Sequence, residues 1–529
     1  MGIACRPPNN ANSNDLCCVS APNSAMPASS PTRALPIVRT GPNSCNRPPV
    51  IRPTESLPAQ RITSTNFRSK RRKTTMGSLF TAMVSTAGAM KSLQRSLSVV
   101  QNNIVNASTV GYARQEGSLI ANPFNPNSTS TSGGVTFGPI ASSRDAFVEA
   151  AVWKTQHRSG NADSLSTKLS EIERTFPIAA GSGVSGEINK FFATISQWSV
   201  SPNDSVARRQ VLNRAASLSQ SFNKAAIDLG DAAGRAGTEI GSTVQKINRL
   251  TADIVSLNKQ RRESQANSND AGVDSTLHAK LEELAQFVDF TALPQEDGSV
   301  SIFIGGQTAA VIGDHHWPIS VASSGGTYQI MDSDGGDITS RIAEGKLGAL
   351  LTFRNTLLPD YQRRLNTLAQ GFADNVNGTL NAGIDLNGAT PAKNLFTYNA
   401  GIGAAATLSI TNITGAELAA AAPGDPGGNT TALDLADLQS AALFTGLTSA
   451  QYYAELTSNI GDRLNTEIAN GGLQRQLLQQ AQNVRAELSG VDINVEATKL
   501  LQLQKGFQAA GQVMAVLNSM TETLLGMLR

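Results

Sequence analysis

Apolar residues recur at alternating spacings of four and three near both ends of the chain. The first series is Leu79, Met83, Thr86, Met90, Leu93, Leu97, Val100 and Ile104; the second is Leu500, Leu503, Phe507, Ala510, Met514, Leu517, Thr521, Leu524 and Leu528. This spacing is typical of a coiled-coil seam, so it predicts two long terminal helices that pack together. Because isolated helices are marginal in water, we expect both seams to need helices from neighbouring copies and to be disordered in the monomer.

The middle of the chain follows the helical pattern over most of its length. Apolar residues spaced by three and four predict helices over 162–176, 206–229, 240–257, 277–288 and 358–372. The alternation typical of strands occurs only over 300–304, over 317–321, in a short run around Tyr328 and Ile330, and over 407–412. The predicted fold class is therefore mainly α with small β insertions (α+β), with paired coiled-coil-like terminal helices, a helical middle domain and a small β-rich outer domain.

These patterns divide the chain into eight segments. In order they are a disordered extension (1–75), the N-terminal helix and a linker (76–143), the first part of a helical domain (144–290), a β-rich insertion (291–345), the second part of the helical domain (346–381), a small β/loop insertion (382–430), the third part of the helical domain (431–489) and the C-terminal helix (490–529). Within the second insertion, Pro423–Asn429 is rich in Gly, Pro and Asp and is predicted to be an exposed loop.

Residues 1–75 differ from the rest in composition. They hold eleven of the 22 prolines, and eleven lysines and arginines against two acidic residues. Such a segment buries too little apolar surface to offset its ordering entropy, which predicts disorder. The basic cluster Lys70–Lys73 before an uncharged run imitates a secretory signal, but polar residues break the run and its apolar pattern continues past Lys91. We therefore favour Met76 as the natural start, with 1–75 as upstream sequence.

Charge and cysteine usage restrict the function of the remaining chain. Over 76–529, 39 acidic residues outnumber 32 basic ones, which disfavours a nucleic-acid binder. The four cysteines are Cys5, Cys17, Cys18 and Cys45, so the body has no thiol for catalysis, disulfides or zinc, which suits an oxidising exterior. No run of 18 apolar residues occurs, and we expect no insertion into a membrane.

Two motifs imitate ligand sites. Gly181, Gly183 and Gly186 form G-x-G-x-x-G, but a dinucleotide site needs a strand directly before it, and the preceding segment is predicted to be a helix. A loop between helices is the favoured interpretation. The aspartates in 332–337 resemble half of a calcium loop, but the glycine and distal carboxylate of that loop are missing, so a polar turn is favoured.

The remaining polar pairs carry no recognisable chemistry. His315–His316 are adjacent in an alternating segment, so their side chains point to opposite faces and cannot share a metal unaided. Arg208–Arg209, Arg261–Arg262 and Arg363–Arg364 are interpreted as solvated helix faces or charges between subunits. We predict no catalytic residues, no cofactor, no metal site and no enzymatic activity.

The segment 102–115, NNIVNASTVGYARQ, resembles the N-terminal signature of bacterial flagellar rod, hook and hook-associated proteins, N-N-I-A-N-x-x-T-P-G-Y-x-R-Q. Val105 and Val110 depart from that pattern. The signature residues taken as a candidate site are Asn103, Asn106, Thr109, Gly111, Tyr112, Arg114 and Gln115.

Three of these residues have predictable local roles. We expect Asn106 to end the helix in the left-handed conformation, Gly111 to permit a tight turn and Tyr112 to anchor that turn.

Further resemblances lie in the C-terminal part and in the middle. Residues 489–497, SGVDINVEA, resemble the helix start S-G-V-N-L-D-E-E-A of the same proteins, and Glu496 keeps the second glutamate. The middle resembles the hook-associated protein 1 family at Phe191–Phe192, Ser201–Asp204, Ile254–Asn258, Asp297–Gly306 and Ile384–Gly388. The resemblance covers essentially 76–529.

The resemblance implies a structural protein at the junction between flagellar hook and filament, needed for filament assembly. Members of this family leave the cell unfolded through the type III export apparatus and assemble into a ring whose inner tube is lined by both termini. The implied partners are further copies, the hook protein, the second junction protein and an export chaperone. The seam residues between Leu79 and Ile104 and between Leu500 and Leu528 become candidate assembly surfaces, and the second also becomes the candidate chaperone site.

Two other functions stay open. The chain resembles axial proteins generally, so a hook or filament subunit is possible, although a hook protein would have more β structure between its terminal helices. A secreted peptidoglycan hydrolase on a flagellar scaffold is the other alternative, although the β segments lack paired carboxylates or a metal set.

Overall fold

The computed structural model describes residues 74–124, 133–177, 182–265, 270–391 and 393–527. The predicted disordered extension lies outside these ranges, except for Thr74 and Thr75, which begin the first helix. Gly181 and Leu528 also lie outside them. No helix in the part of the chain that the structure describes is long and apolar enough to cross a membrane.

The chain is mainly helical with small antiparallel sheets, which confirms the predicted fold class. The helices are α1 Thr74–Val105, α2 Ala146–Glu173, α3 Gly183–Val200, α4 Ser205–Gln265, α5 Ala271–Phe287, α6 Gly345–Thr352, α7 Leu358–Asn381, α8 Ala404–Thr407, α9 Thr430–Asp437, α10 Ser449–Ser489 and α11 Ile493–Gly526. The strands are β1 Gln115–Ala121, β2 Val135–Ser142, β3 Phe290–Pro294, β4 Val300–Ile304, β5 Thr308–Ile312, β6 His315–His316, β7 Ser320–Ser324, β8 Thr327–Met331, β9 Phe396–Thr397 and β10 Ser409–Ile410.

The strands form one four-stranded sheet, in the order β3-β4-β5-β6, and three two-stranded units, β1-β2, β7-β8 and β9-β10. All strand pairs are antiparallel. Between β3 and β4, Phe290 pairs with Ile304 and Pro294 with Val300. β1 and β2 lie against α1, where the hydroxyl of Ser92 donates to the carbonyl of Val135 at 3.0 Å.

Two hydrophobic cores stabilise the body. The first core joins the C-terminal part of α2, α3, the N-terminal half of α4, α7 and α10. At its centre Phe191, Phe192, Phe372 and Phe396 pack at tilted or edge-to-face angles, with ring centroids 5.5 to 6.0 Å apart. The second core joins the C-terminal half of α4, α5, α6 and the four-stranded sheet.

The predicted helices 206–229 and 240–257 are one continuous helix, α4, of 61 residues. Ala232, Ala233 and Ala236 keep the buried face apolar across the region between the two predicted segments. The predicted helix 162–176 is likewise part of a longer helix, α2, which ends at Glu173. The start of α2 is capped by Asp145, which accepts hydrogen bonds from the amides of Phe147 and Val148.

The sequence patterns missed the hairpin β1-β2 and strands β3 and β5. β3 is short and runs into Pro294, and β5 is almost continuously apolar, so neither shows a clean alternation. Of the second predicted strand segment, only Ser409–Ile410 is paired. Pro423–Asn429 is an exposed or half-buried loop, as predicted.

The interpretation of Arg208 as a solvated residue is wrong. Its side chain is buried, and its guanidinium donates to the carbonyls of Pro202 and Gly415 at 2.6 and 3.0 Å and to that of Leu418 at 2.5 Å. The guanidinium also stacks over the Trp198 ring at 5.4 Å. Arg208 therefore fastens the 382–430 segment to α3 and α4.

Asparagines on helices hold the β segments in place by one repeated device. Each amide pairs with both the backbone N–H and the backbone C=O of a single residue, at 2.7 to 3.0 Å. The pairs are Asn103 with Gln115, Asn248 with Ile319, Asn258 with Val300, Asn355 with Tyr328 and Asn377 with Phe396. Because an asparagine amide has a donor and an acceptor side by side, it completes a strand edge as a neighbouring strand would.

Replacing Asn258 with aspartate should destabilise the second core by about 2–3 kcal/mol at neutral pH. Asn258 is fully buried and also donates to the carbonyl of Gly313 at 2.9 Å. An aspartate would lose both donated hydrogen bonds and would face two carbonyl oxygens, so its pKa would rise and the loss of stability would shrink as the pH falls. Urea unfolding at pH 7 and pH 5 measures this. The exposed Asn213→Asp substitution on the same helix is the control, and an equal cost at both sites would contradict the predicted role of Asn258.

Candidate functional site

The two terminal helices run antiparallel and meet at the signature segment. Asn103, near the end of α1, contacts Glu496 in the first turns of α11. Leu93, ten residues before Asn103, lies against Gly506, ten residues after Glu496. We call the group Asn103, Tyr112, Gln115 and Glu496 the terminal clamp.

Asn103 is the centre of the terminal clamp. Its Oδ1 accepts from the Tyr112 hydroxyl and from the Gln115 amide, both at 2.9 Å. Its Nδ2 donates to the Gln115 carbonyl at 2.9 Å and to Glu496 Oε2 at 3.1 Å. The side chain is 1% exposed, and the full hydrogen-bonding capacity of the amide is used.

Glu496 brings a buried carboxylate to the clamp. Its second oxygen, Oε1, accepts from Lys499 Nζ at 2.8 Å. Burial, and then the nearby Glu496 carboxylate, raise the pKa of Tyr112 to about 12, so the hydroxyl stays protonated and remains a donor. Asp492 caps α11 by accepting from the amides of Asn494 and Val495, which fixes the helix start that presents Glu496.

A second set of contacts joins the signature segment to the end of α10. The Arg114 amide donates to the Ser489 carbonyl at 2.8 Å. The hydroxyl of Ser489 donates to the Ser143 carbonyl at 3.0 Å, and the Ser143 hydroxyl donates to the Ser489 carbonyl at 3.3 Å. The S-G-V-D segment and the N-terminal signature are therefore two sides of one contact.

A buried ion cluster lies behind the signature turn, and sequence reasoning missed it. Arg144 donates to Glu149 Oε1 at 2.5 Å, to Asp274 Oδ2 at 3.2 Å and to the Gly111 carbonyl at 2.6 Å. Arg485 lies 3.5 Å from Glu149. We call Arg144, Glu149, Asp274 and Arg485 the neck cluster, because it links the turn to α2, α5 and α10.

Nearby positive charge keeps Asp274 of the neck cluster ionised. Burial alone pushes the pKa of Asp274 upward, but His278, Arg144 and Arg261 outweigh it and hold that pKa below its usual value. An arginine directly before the capping aspartate of α2 is the one local sequence signal for this cluster. Asp274 and Arg485, which lie 130 residues away and more from Arg144, show no such local signal.

The other signature residues have separate positions. Gly111 has φ +77°, and a Cβ there would lie 2.5 Å from the Ser275 carbonyl oxygen, so the turn at this position requires glycine. Asn106 and Thr109 make a local turn in which the Thr109 hydroxyl donates to Asn106 Oδ1 at 3.2 Å. The expected left-handed conformation of Asn106 is wrong, since Thr445 is the only non-glycine residue with positive φ in the described ranges.

The seam residues line the contact between α1 and α11, but they are incompletely covered. Val100 is buried, and the other N-terminal seam residues are half-buried. On α11 the seam residues from Leu500 to Leu517 are half-buried and Leu524 is exposed, so the only fully buried residue of that helix is Glu496. The two helices therefore leave much of their apolar surface open to water.

The remaining candidate residues occupy ordinary structural positions. Gly183 begins α3, and the element before it is α2 rather than a strand. Asp332 accepts from the amides of Asp334 and Gly336 within a turn. His315 lies beside Trp317, whereas His316 hydrogen-bonds Thr251 at 2.9 Å. Among the described residues, no group of three or more His, Cys, Asp and Glu side chains is placed to hold a metal.

His157 makes the stability of the protein fall in acid. It is buried and edge-on to Phe290 at 5.1 Å, and no partner for its Nε2 lies in the part of the chain that the structure describes. Burial, and then Arg158, lower its pKa to about 3. In the unfolded chain the imidazole of His157 takes up a proton near pH 6.5, whereas in the folded chain it stays neutral until the pH approaches 3. The stability that depends on a neutral His157 is therefore fully present above pH 6.5 and is lost as the pH falls toward 3.

His157→Leu should therefore flatten the pH dependence of stability. The difference in unfolding free energy between the variant and the original chain should move by about 2 kcal/mol in favour of the variant between pH 7 and pH 5. Urea unfolding at the two pH values measures it, and the other titrating groups cancel in the comparison. A difference that stays constant with pH would contradict a buried neutral His157.

Comparison with known proteins gives a consistent result. The family model described as the helical domain of the flagellar hook-associated protein FlgK matches residues 169–396. The chain is 23% identical over 508 residues to flagellar hook-associated protein 1 of Bacillus subtilis, covering 85% of this chain and 98% of that protein. It is 26% identical over 315 residues to the protein of the same name from Salmonella typhimurium, covering 56% of each.

A solved structure agrees in fold. The flagellar hook junction protein FlgK from Burkholderia pseudomallei superposes with a TM-score of 0.59 at 14% identity, covering 64% of this chain and all of that chain. The matches therefore include the helical body as well as, in the Bacillus protein, most of the chain length. The chain therefore resembles flagellar hook-associated protein 1, over its helical body and over most of its length.

Proposed function

We propose that this chain is a structural subunit of the bacterial flagellum that forms the junction between hook and filament and is needed for filament assembly. The relatives named flagellar hook-associated protein 1 and the neighbour titled as a hook junction protein support this role. The observation that carries it in this chain is the clamped pair of terminal helices with an incompletely covered apolar surface. The role is structural and uses no catalytic residue.

The outer face of α11 presents a second apolar stripe that α1 does not reach. It consists of Val513, Val516, Met520 and Met527, and each of these side chains is at least half exposed. Exposed apolar patches of this kind mark interaction surfaces in soluble proteins. Further copies of the chain, stacked in a ring, are the occupants that this function supplies.

A groove of about 410 Å³ next to the terminal clamp offers a second contact. It lies between α1, β1 and α11, with apolar walls from Val99, Val100, Leu119 and Leu503 and with Lys499 at its edge. Its apolar walls suit a large apolar side chain of a neighbouring copy. The terminal clamp fixes the two helices that form this groove.

The partners and the route follow from the same role. The chain leaves the cell through the type III apparatus and contacts the hook protein on one side and the second junction protein on the other. Before assembly, an export chaperone covers the apolar seam from Leu500 to Leu528, because an exposed seam in the cytoplasm favours aggregation. Co-purification of a chaperone with the chain, lost on removal of 490–529, tests this step.

The decisive experiment places charge on the outer stripe. In cells lacking the gene, hooks should carry no filaments and monomeric flagellin should accumulate outside. A Val516→Glu/Met520→Glu chain should be exported but should fail to restore filaments, because two carboxylates would be buried between copies. Gln512→Glu/Ser519→Glu adds the same charge at exposed polar positions of α11 and should restore them.

Full filaments with the first variant would contradict the proposed surface, and full filaments in cells lacking the gene would contradict the function. Measuring the secreted chain in the medium separates failed export from failed assembly. An axial role elsewhere predicts missing or altered hooks instead. Hydrolysis of cell-wall substrate by the purified chain, abolished by removal of 291–345, would favour the hydrolase alternative.

A further inference from the structure

The boundary between the two cores crosses several helices at one level. In α4 the first core ends at Ala236 and the second begins at Ile240. In α2 the change falls between Trp153, in the second core, and Leu165, in the first. In the helix that starts with α6, Leu347, Leu350 and Leu351 belong to the second core. Ala349, and every core residue from Phe353 onward, belong to the first.

Each helix at this boundary carries a feature that weakens it. α4 has glycines at 230, 234, 237 and 241, and α10 has Gly471–Gly472 where it passes Ala162 and Asp163 of α2. α2 has Gly160, and α6 leads into α7 through a π-helical turn, Phe353–Leu357. Glycine lowers helix stability, and π-helical turns interrupt the regular hydrogen-bond ladder, so both are sites where helices bend.

The glycines of α4 are not all explained by close packing. A Cβ at Gly230, Gly234 or Gly241 would meet no atom of the described residues within 4 Å. Gly237 differs, because a Cβ there would lie 2.2 Å from the Tyr328 hydroxyl of β8. Tyr328 is itself held by Asn355 of the π-helical turn, so one contact joins α4, β8 and that turn.

Polar groups fill the space between the cores on one side. A groove of about 410 Å³ lies there, lined by α2, α4, α5 and α6. Across it Lys168 and Lys346 both pair with Glu239, at 2.8 and 2.7 Å. Ion pairs at a solvent-accessible groove rearrange at small cost, whereas a continuous apolar core would resist any tilt of one part against the other.

We infer that this boundary is a bending hinge, about which the second core with its four-stranded sheet tilts relative to the first core. The Tyr328–Gly237 contact is the pivot, and the open glycines of α4 provide the flexibility. The inference concerns motion within the helical body and is independent of the terminal helices and of the proposed function.

Distance measurements between the two cores test the hinge. In the full chain, the four native cysteines are replaced by serine. Spin labels are then attached at two exposed positions, Ser324→Cys on the side of the second core and Ser440→Cys on the side of the first. Pulsed electron resonance should give a broad distance distribution. Gly230→Ala/Gly234→Ala/Gly241→Ala should narrow its width by about half, since alanine stiffens helices.

The matched control places three alanines in helices away from the boundary. At Gly88, Gly378 and Gly511 an added Cβ would also lie more than 4 Å from every atom that the structure describes. The combined variant Gly88→Ala/Gly378→Ala/Gly511→Ala should raise the denaturation midpoint without changing the width of the distance distribution. A narrow distribution in the original chain, or equal narrowing in both triple variants, overturns the hinge. An unchanged width with lost filament assembly also overturns it, because the glycine face would then be a contact surface.

Discussion

Replacing Asn103 with aspartate should release α11 from α1 and stop filament growth. The substitution removes two donated hydrogen bonds and puts a second carboxylate about 3 Å from that of Glu496 in a buried position. Losing such a buried pairing costs about 3–5 kcal/mol. Protection of the α11 amides against hydrogen exchange should therefore fall at least about a hundredfold.

Two variants separate charge repulsion from a general effect of the substitution. Asn102→Asp changes the adjacent, exposed residue, which can still accept from Asn106, and should leave protection and filaments unchanged. Adding Glu496→Gln to Asn103→Asp removes the repulsion and should recover part of the protection. If the double variant is no better than the single one, the Asn103–Glu496 contact is not the cause.

The same measurement addresses the disorder predicted for the isolated termini. In the structure α1 and α11 are helical and joined by the clamp, although their seams are half-covered. Amides of α11 that exchange freely in the unsubstituted monomer would favour disorder before assembly. Protected amides would show that the clamp alone orders the pair.

Local pattern was sufficient to predict the terminal helices and the mainly helical class. The four-three spacing of apolar residues depends only on the geometry of one helix. α1 extends over the whole segment that the spacing marked, and α11 extends over its segment as far as Leu524. The same spacing left the glycine-rich residues between 229 and 240 unassigned, although buried alanines continue α4 through them.

Long-range pairing explains most of what the sequence did not reveal. Asn103 and Glu496 are 393 residues apart, and neither shows locally that it has a buried partner. The five helical asparagines resemble any solvated asparagine until the strand edges they complete are known. Arg208 was misinterpreted for the same reason: the carbonyls that bind it, those of Gly415 and Leu418, come from a distant loop.

Replacing Arg144 with methionine should destabilise the protein by about 3–5 kcal/mol, the other large effect that we predict. The side chains of Arg144 and Glu149 are 9% and 2% exposed, so the substitution leaves buried carboxylates without their main cation. The Gly111 carbonyl also loses its donor. Because Arg144 helps to hold the pKa of Asp274 down, its removal raises that pKa, and the loss of stability should shrink as the pH falls.

Neutralising the acids tests whether charge is the cause. Arg144→Met combined with Glu149→Gln and Asp274→Asn removes the uncompensated charges, so urea unfolding should show that most of the lost stability returns. Arg209→Met, on an exposed part of α4, should cost less than about 0.5 kcal/mol. If the triple variant is as unstable as Arg144→Met alone, the neck cluster acts through the hydrogen bond to Gly111, and the signature turn rather than the ion balance holds the terminal helices to the body.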